Sequence, residues 1–336
     1  MKFRRLGHSG LEVSTLCLGT MLFGDQTPEA EAERIVRHAG EIGVNFLDTA
    51  DAYAGGDSER MIGRLIKGER DRWLIATKVG TRLAPPDRNR GGLGRRWIMR
   101  AIEDSLTRLG LDHVDIYYLH LDDPAAPIEE TVVAMGELVR QGKARYWGVS
   151  NIRGWKIAEM MRLCDVAGVA RPIVGQPYYN AMNRLPEVEY LPVCAHYRMG
   201  VVPYSPLARG VLTGKYTFGQ EPEPGTRAGR KDKRMMETEF RRESMAIAQT
   251  IKAHAEARGR TTVGFAVNWV LANPIVSSVI AGPRTMAQWM GYVQAIEEGF
   301  DAEDEALLDS LVASGHPSTP GYNDPVHVIT GRPKSV

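Results

Sequence analysis

Eight short apolar runs, separated mostly by longer amphipathic stretches, constrain this chain more than any other feature. The runs are Leu16 to Leu18, Val44 to Leu47, Trp73 to Ala76, Val114 to Leu119, Ala144 to Val149, Ile173 to Gln176, Gly200 to Pro203 and Val276 to Ile280. Helical periodicity fills most of the gaps. Glu29 to Ile42 sets Ala30, Ile35, Val36, Ala39 and Ile42 on one face. Stretches Arg95–Leu109, Ile128–Gln141 and Ile152–Ala167 each stop at a glycine (Gly110, Gly142, Gly168), the residue that ends helices without steric cost. Ser58 is expected to cap the start of a helix reaching Lys67. Helices are also expected at Glu243–Arg258, Thr262–Ala272, Thr285–Glu297 and Ala302–Ala313, with a short Pro-flanked one near Val188–Arg198.

Strands that alternate with helices imply a parallel sheet. An open doubly wound sheet and a closed barrel both satisfy that pattern. Eight strands in unbroken alternation favour the barrel, so the expected fold class is α/β, a (β/α)8 TIM barrel. An open dinucleotide fold would want G-x-G-x-x-G after its first strand. Here Gly19-Thr20-Met21-Leu22-Phe23-Gly24 follows instead. Gly136 to Ala144 comes nearest to a P-loop, but has one residue too many between its glycines and Ala in place of Ser/Thr. Ahead of the first run, Lys2–Leu6 and Leu11–Thr15 flank Gly7-His8-Ser9-Gly10, a turn of hairpin length.

The length of 336 residues allows two ordinary domains or one large barrel, and a single barrel over 1–336 is the expectation. It comprises a hairpin at 1–15, long loops at 80–94 and 214–242 on the C-terminal face, and a tail at 315–336. The formal net charge of +1 gives no electrostatic reason to expect nucleic acid or an anionic membrane as partner. Cys17, Cys164 and Cys194 lie far apart without a C-x-x-C, which disfavours a disulfide framework and a zinc site and suits reduced thiols in the cytoplasm. No apolar stretch approaches the ~20 residues that span a bilayer, and the basic start is followed by no apolar core.

Barrel chemistry sits at the C-terminal ends of strands. Asp48 and Tyr53 follow the second run, Lys78 the third and His120 the fourth. A buried cation beside a phenol favours phenolate and is expected to lower the pKa of Tyr53. A carboxylate beside that lysine keeps it charged and aimed. The phenol is then a candidate general acid, and the imidazole a donor that orients a carbonyl oxygen. Each residue also has a structural reading: a capping carboxylate, loop packing, an ion pair, a satisfied core histidine. Their joint position on one rim favours chemistry. No second His or Cys stands at a ligand-like spacing from His120, so no metal is expected.

At this point the sequence resembles the aldo-keto reductase superfamily, over most of its length from the hairpin to about Ala313. The carrying segments are Phe46 to Tyr53, Ile75 to Lys78, Asp115 to His120, Gly148 to Asn151, Pro203 to Leu207 and Gly210 to Tyr216. Gly92-Leu93, Ser105-Leu106, Arg108-Leu109 and Pro127 to Thr131 are similar to the bacterial and potassium-channel β-subunit-like branch. The resemblance implies a barrel that binds NADP(H) without a Rossmann motif and transfers hydride to an aldehyde or ketone. It implies Tyr53 as general acid, tuned by Lys78 and Asp48, with His120 orienting the carbonyl. Gly19, Thr20 and Met21 would lie beneath the cofactor. Ser150, Asn151 and Gln176 would hold its carboxamide, and Tyr204 would stack on the nicotinamide. Ser205, Leu207, Arg209, Gly210 and Lys215 would take the pyrophosphate. Arg284 and Gln288 would face the adenosine 2′-phosphate.

The chain departs from the family at the adenosine end. Gly291 and Tyr292 stand where a Glu-Asn pair is common, and Pro283 where a small residue is usual, which leaves NAD(H) as an alternative. Phe23 and Trp97, with Tyr53 and the two long loops, are expected to frame the pocket, and an aromatic rim suits a bulky or cyclic carbonyl. A monomer or homo-oligomer fits this branch. The rival functions are a cofactor-binding sensor or partner subunit and an isomerase using Lys78 as a Schiff base.

Overall fold

The computed structural model describes residues 1–81 and 89–326. Part of the expected 80–94 loop (82–88) and the end of the tail (327–336) therefore lie outside the described residues.

All eight apolar runs contain strands. They are β3 (Leu16–Gly19), β4 (Phe46–Asp48), β5 (Leu74–Val79), β6 (Val114–Leu119), β7 (Ala144–Ser150), β8 (Val174–Gln176), β9 (Gly200–Val201) and β10 (Val279–Ala281). They pair in parallel in the order β10-β3-β4-β5-β6-β7-β8-β9. The ring closes where Val201 bridges Val276, with Ser277 N donating to Val201 O at 2.8 Å and Ile280 N to Pro203 O at 3.0 Å. This is the (β/α)8 barrel.

Alternation along the strands divides the apolar residues between two cores. Cys17, Phe46, Ala76, Ile116, Tyr118, Val174 and Ile280 point inward and fill the barrel. Leu16, Leu18, Leu47, Ile75, Tyr117, Trp147 and Val149 point outward, under the helices. The outer layer includes α1 (Glu29–Glu41), α2 (Asp57–Leu65), α3 (Arg95–Leu109), α4 (Ile128–Arg140) and α5 (Gly154–Ala167). It continues through α6 (Tyr190–His196), α7 (Lys233–Thr238), α8 (Arg242–Ala257), α9 (Thr262–Ala272), α10 (Met286–Ala295) and α11 (Ala302–Leu311). On α1 the buried stripe is Ala32, Ile35, Val36, Ala39 and Gly40, whereas Ala30, expected on it, is exposed in the first turn.

The hairpin is present as β1 (Phe3–Arg5) and β2 (Glu12–Ser14), antiparallel. Its Leu6 and Val13 have no exposed surface and belong to the barrel's inner core, so the hairpin plugs one mouth. Gly7, at φ +58°, makes this docking possible. A Cβ there would lie 2.3 Å from Gly200 N and 2.7 Å from Ile173 O, both backbone. Gly7→Ala is expected to cost on the order of 2 kcal/mol in urea unfolding, from strain and displacement together. An unchanged midpoint would show that the hairpin shifts freely.

Candidate active site

The same alternation builds the site. One pleat beyond inward-facing Phe46, Ala76, Tyr118, Gly148 and Val174 come Asp48, Lys78, His120, Ser150 and Gln176. Five polar residues thus reach the inner rim at the C-terminal ends of five neighbouring strands. Gly148 has a packing reason as well: a Cβ there would sit 2.6 Å from the Tyr118 ring and 2.7 Å from Val174 O.

Four of these residues join with Tyr53 in one network. Lys78 is fully buried. Its Nζ donates to Asp48 Oδ1, to Thr49 O at 2.7 Å and to the Tyr53 hydroxyl at 3.2 Å, and lies 4.8 Å from the Tyr53 ring centre. Gln176 Nε2 donates to the other Asp48 oxygen at 2.8 Å, so both carboxylate oxygens are held. Ser150 Oγ donates to Gln176 O at 2.8 Å and fixes that strand end in turn. The His120 ring meets Tyr53 edge-on at 5.8 Å, and its Nδ1 lies 3.4 Å from Thr81 Oγ1. Tyr53 and His120 both keep part of their surface exposed, while Asp48 and Lys78 do not.

The electrostatics correct one expectation. Burial raises the Tyr53 pKa and outweighs the downward pull of Lys78; Asp48 adds to the rise. The lysine therefore limits the cost of a phenolate rather than making one in the resting protein. Burial alone would lower the Lys78 pKa, but Asp48 and Tyr53 reverse it and hold the ammonium charged. Burial, with Lys78 adding to it, pushes His120 down to about 3, so its imidazole is neutral through the ordinary pH range.

The residues expected to hold a cofactor take the following places. Gly19 pairs with Asp48 across the sheet, and Thr20 N donates to Asp48 O at 2.9 Å; Met21 beside them is exposed. Asn151, at φ +56°, donates to His120 O at 2.9 Å and accepts from the Tyr204 hydroxyl at 2.9 Å. One face of Tyr204 stacks on Tyr178 at 5.3 Å, and the ring keeps accessible surface. Beyond it Ser205, Ala208 and Arg209 all hold left-handed backbone, which costs of order 1–3 kcal/mol each and gathers at ligand sites. Leu207 O accepts from Gly210 N at 2.8 Å, and Arg209 Nε donates to Thr238 Oγ1 at 3.0 Å. Lys215 is exposed, its ammonium 5.3 Å from the Tyr216 ring centre. Arg284 is half-buried near the start of α10. Its backbone N donates to Gln288 Oε1 at 2.8 Å and its guanidinium to Gly225 O at 3.3 Å.

Two expected pocket residues are buried, and one expected cap is not a cap. Phe23 has no exposed surface and sits in the outer core. Trp97 is likewise core packing on α3, with the Arg90 guanidinium 5.5 Å from its ring centre. Ser58 is not a cap, because α2 begins at Asp57. Its hydroxyl instead donates to Thr20 O at 2.8 Å and meets Thr49 Oγ1 at 2.9 Å, tying two strand ends together. Tyr292, at the departure from the family, is buried rather than presented to solvent.

The profile of the Aldo/keto reductase family matches residues 15–313. The chain belongs to this family. It is 36% identical over 302 residues to a probable voltage-gated potassium channel subunit beta of Arabidopsis thaliana, covering 88% of this chain and 92% of that protein. It is 35% identical over 308 residues to a putative subunit of the same kind in Schizosaccharomyces pombe, 88% of each chain. An uncharacterized oxidoreductase of Bacillus subtilis, YrpG, is 33% identical over 330 residues, 95% of this chain and 98% of its own. No described helix of this aldo/keto reductase is long and apolar enough to cross a membrane, and no described cluster of His, Cys, Asp and Glu could hold a metal ion.

Proposed function

We propose that this chain is an NADP(H)-dependent reductase of an aldehyde or ketone, with Tyr53 as the general acid. The observation that carries the reading is Lys78 Nζ, fully buried and bonded at once to Asp48, Thr49 O and the Tyr53 hydroxyl. A structural ion pair needs no phenol at its edge, and this phenol keeps exposed surface where a substrate can reach it.

The residues fit a dinucleotide. Tyr204 offers a flat ring already held on one face by Tyr178; Asn151 supplies an amide bonded to its hydroxyl, and Gln176 a second amide on the Asp48 carboxylate. The left-handed turn at 205–209 brings backbone and Arg209 together, as suits a pyrophosphate. Arg284 and Gln288 stand together at the far end. When bound, a reduced nicotinamide supplies the hydride.

The chain's own part is to hold the carbonyl and give a proton. If Thr81 donates to His120 Nδ1, then Nε2 carries the N–H and can donate to the carbonyl oxygen. A neutral imidazole donates without competing for the proton. Tyr53 gives its hydroxyl proton to the oxygen as negative charge develops there. The phenolate left behind stays beside the ammonium, 3.2 Å from Lys78 Nζ. In the oxidative direction Tyr53 would take that proton back. The class fits the alcohol dehydrogenase and carbonyl reductase type, in a cytoplasmic setting.

Loss of NADPH absorbance with a panel of aldehydes and ketones tests the reading. Turnover of any member supports it. Tight cofactor binding with no turnover across the panel would favour a sensor or a partner subunit, the second being what the potassium-channel relatives are named for. The phosphate preference has its own test. Arg284→Ala is expected to weaken NADPH binding about tenfold or more and NADH binding far less, because a guanidinium matches phosphate oxygens and not a ribose hydroxyl. Equal losses in a fluorescence titration would remove Arg284 from that role.

A further inference from the structure

A second polar cluster lies behind the site, on the outer side of the barrel wall. Thr77 and Tyr117 point outward from β5 and β6, Glu59 comes from α2, Arg108 from α3, and Asp51 from the turn after β4. Glu59 is fully buried but matched: it accepts from Thr77 Oγ1 and from Arg108 Nε, both at 2.5 Å. Asp51 is not matched. It is 2% exposed, and among the described residues no side chain donates to either of its carboxyl oxygens, leaving the neighbouring Ala52 amide as the donor beside them. The buried Tyr117 hydroxyl has no hydrogen-bond partner among the described residues. One guanidinium here faces two carboxyl groups.

An unpaired buried carboxylate is costly, and an asparagine would fill the same space without a charge to desolvate. What distinguishes Asp51 is its place, two residues before Tyr53, with its backbone N 3.4 Å from Lys78 O. We propose that Asp51 is a positioning residue of the reaction: a buried acid that gains and loses a proton behind the barrel wall and thereby sets how tightly Tyr53 holds its own. This rests on the assignment of Tyr53 as general acid.

The charges around it give the sign. Burial and Glu59 push the Asp51 carboxyl up to about 7, against Arg108, the Ala52 amide and Lys78. The Tyr117 phenol faces the same group and is itself pushed up by burial, then Asp51 and Glu59. On the Tyr53 side, Lys78 favours phenolate while Asp48 and Asp51 oppose it. Below neutrality Asp51 is uncharged, and Lys78 acts on Tyr53 against burial and the Asp48 charge. Above it, a further anion makes the phenol a weaker acid.

Two readouts test this. Carbonyl reduction by the unaltered protein should lose about threefold in kcat as pH rises through about 7, the size expected when one nearby charge weakens a general acid. Asp51→Asn should lack that step with KM unchanged, and Asp51→Glu, which returns an acid, should restore one. The second readout needs no turnover. With 13C-labelled aspartate and tyrosine, one carboxyl should titrate near neutrality and the Tyr53 ring signal should move with it, both absent in Asp51→Asn. If no carbonyl is turned over, the reductase reading fails while this titration still decides the coupling. Aspartates that all titrate in the ordinary range, or a Tyr53 signal indifferent to Asp51→Asn, would overturn the proposal.

Discussion

Lys78→Met should lose both activity and stability, and the two losses have separate causes. Methionine keeps most of the volume in a site without exposed surface, so packing suffers little. What goes is a charge bonded to Asp48, Thr49 O and Tyr53. Among the described residues, Asp48 is left buried with only the Gln176 amide on its carboxylate. Breaking a buried ion pair on one side costs about 3–5 kcal/mol. The Lys78 pKa is raised in the folded protein, so its contribution is complete below the unfolded value and is lost only as pH climbs through the folded one. The gap between the two proteins should therefore be flat from pH 6 to 9 in urea unfolding and narrow only in strong alkali. Turnover should fall at least ~10²-fold, because the Tyr53 phenolate would form with no cation beside it. A folded variant with full turnover would make Lys78 a structural lysine.

The barrel was legible because its two signals agree. Eight apolar runs count the strands, and two-residue alternation within them tells which side chains face in. That alternation also predicts the rim: Asp48, Lys78, His120, Ser150 and Gln176 each stand one pleat past an inward core residue. What stayed hidden depends on the third dimension. Phe23 was expected in an aromatic pocket rim, and its full burial in the outer core is a matter of depth that residue type does not reveal. Ser58 had the residue type and spacing of a cap, but its hydroxyl is spent on Thr20 and Thr49. The direction of the Tyr53 shift needed the depth of burial, which no spacing reveals. Of the cluster of Asp51, Glu59 and Arg108, the first and last lie in segments that carry the family resemblance, and Glu59 lies outside them. Nothing in their order says that three charges from α2, α3 and a strand end meet behind one wall.

Tyr53→Phe is the narrower change and bears most directly on mechanism. It removes one oxygen and leaves the ring, so the edge contact with His120 at 5.8 Å and the ammonium 4.8 Å from the ring centre can both persist. Lys78 keeps Asp48 and Thr49 O as partners and stays charged. Folding should change by less than about 1 kcal/mol, the worth of one partly exposed hydrogen bond. Cofactor affinity should hold, because none of the groups assigned to the dinucleotide is touched. The rate should not: without a proton donor beside Lys78, kcat for carbonyl reduction should drop at least ~10²-fold, about 2.7 kcal/mol of barrel-bound transition-state stabilisation. Stopped-flow NADPH oxidation and a cofactor titration on the same preparation separate the two quantities. If turnover survives, His120 is the remaining group near the oxygen. Its imidazole, neutral with a pKa pushed down to about 3, would then have to give up an N–H proton to an alkoxide with no cation formed at the ring beforehand. That is a poor general acid beside a phenol held against an ammonium, which is why the large loss is the expected result.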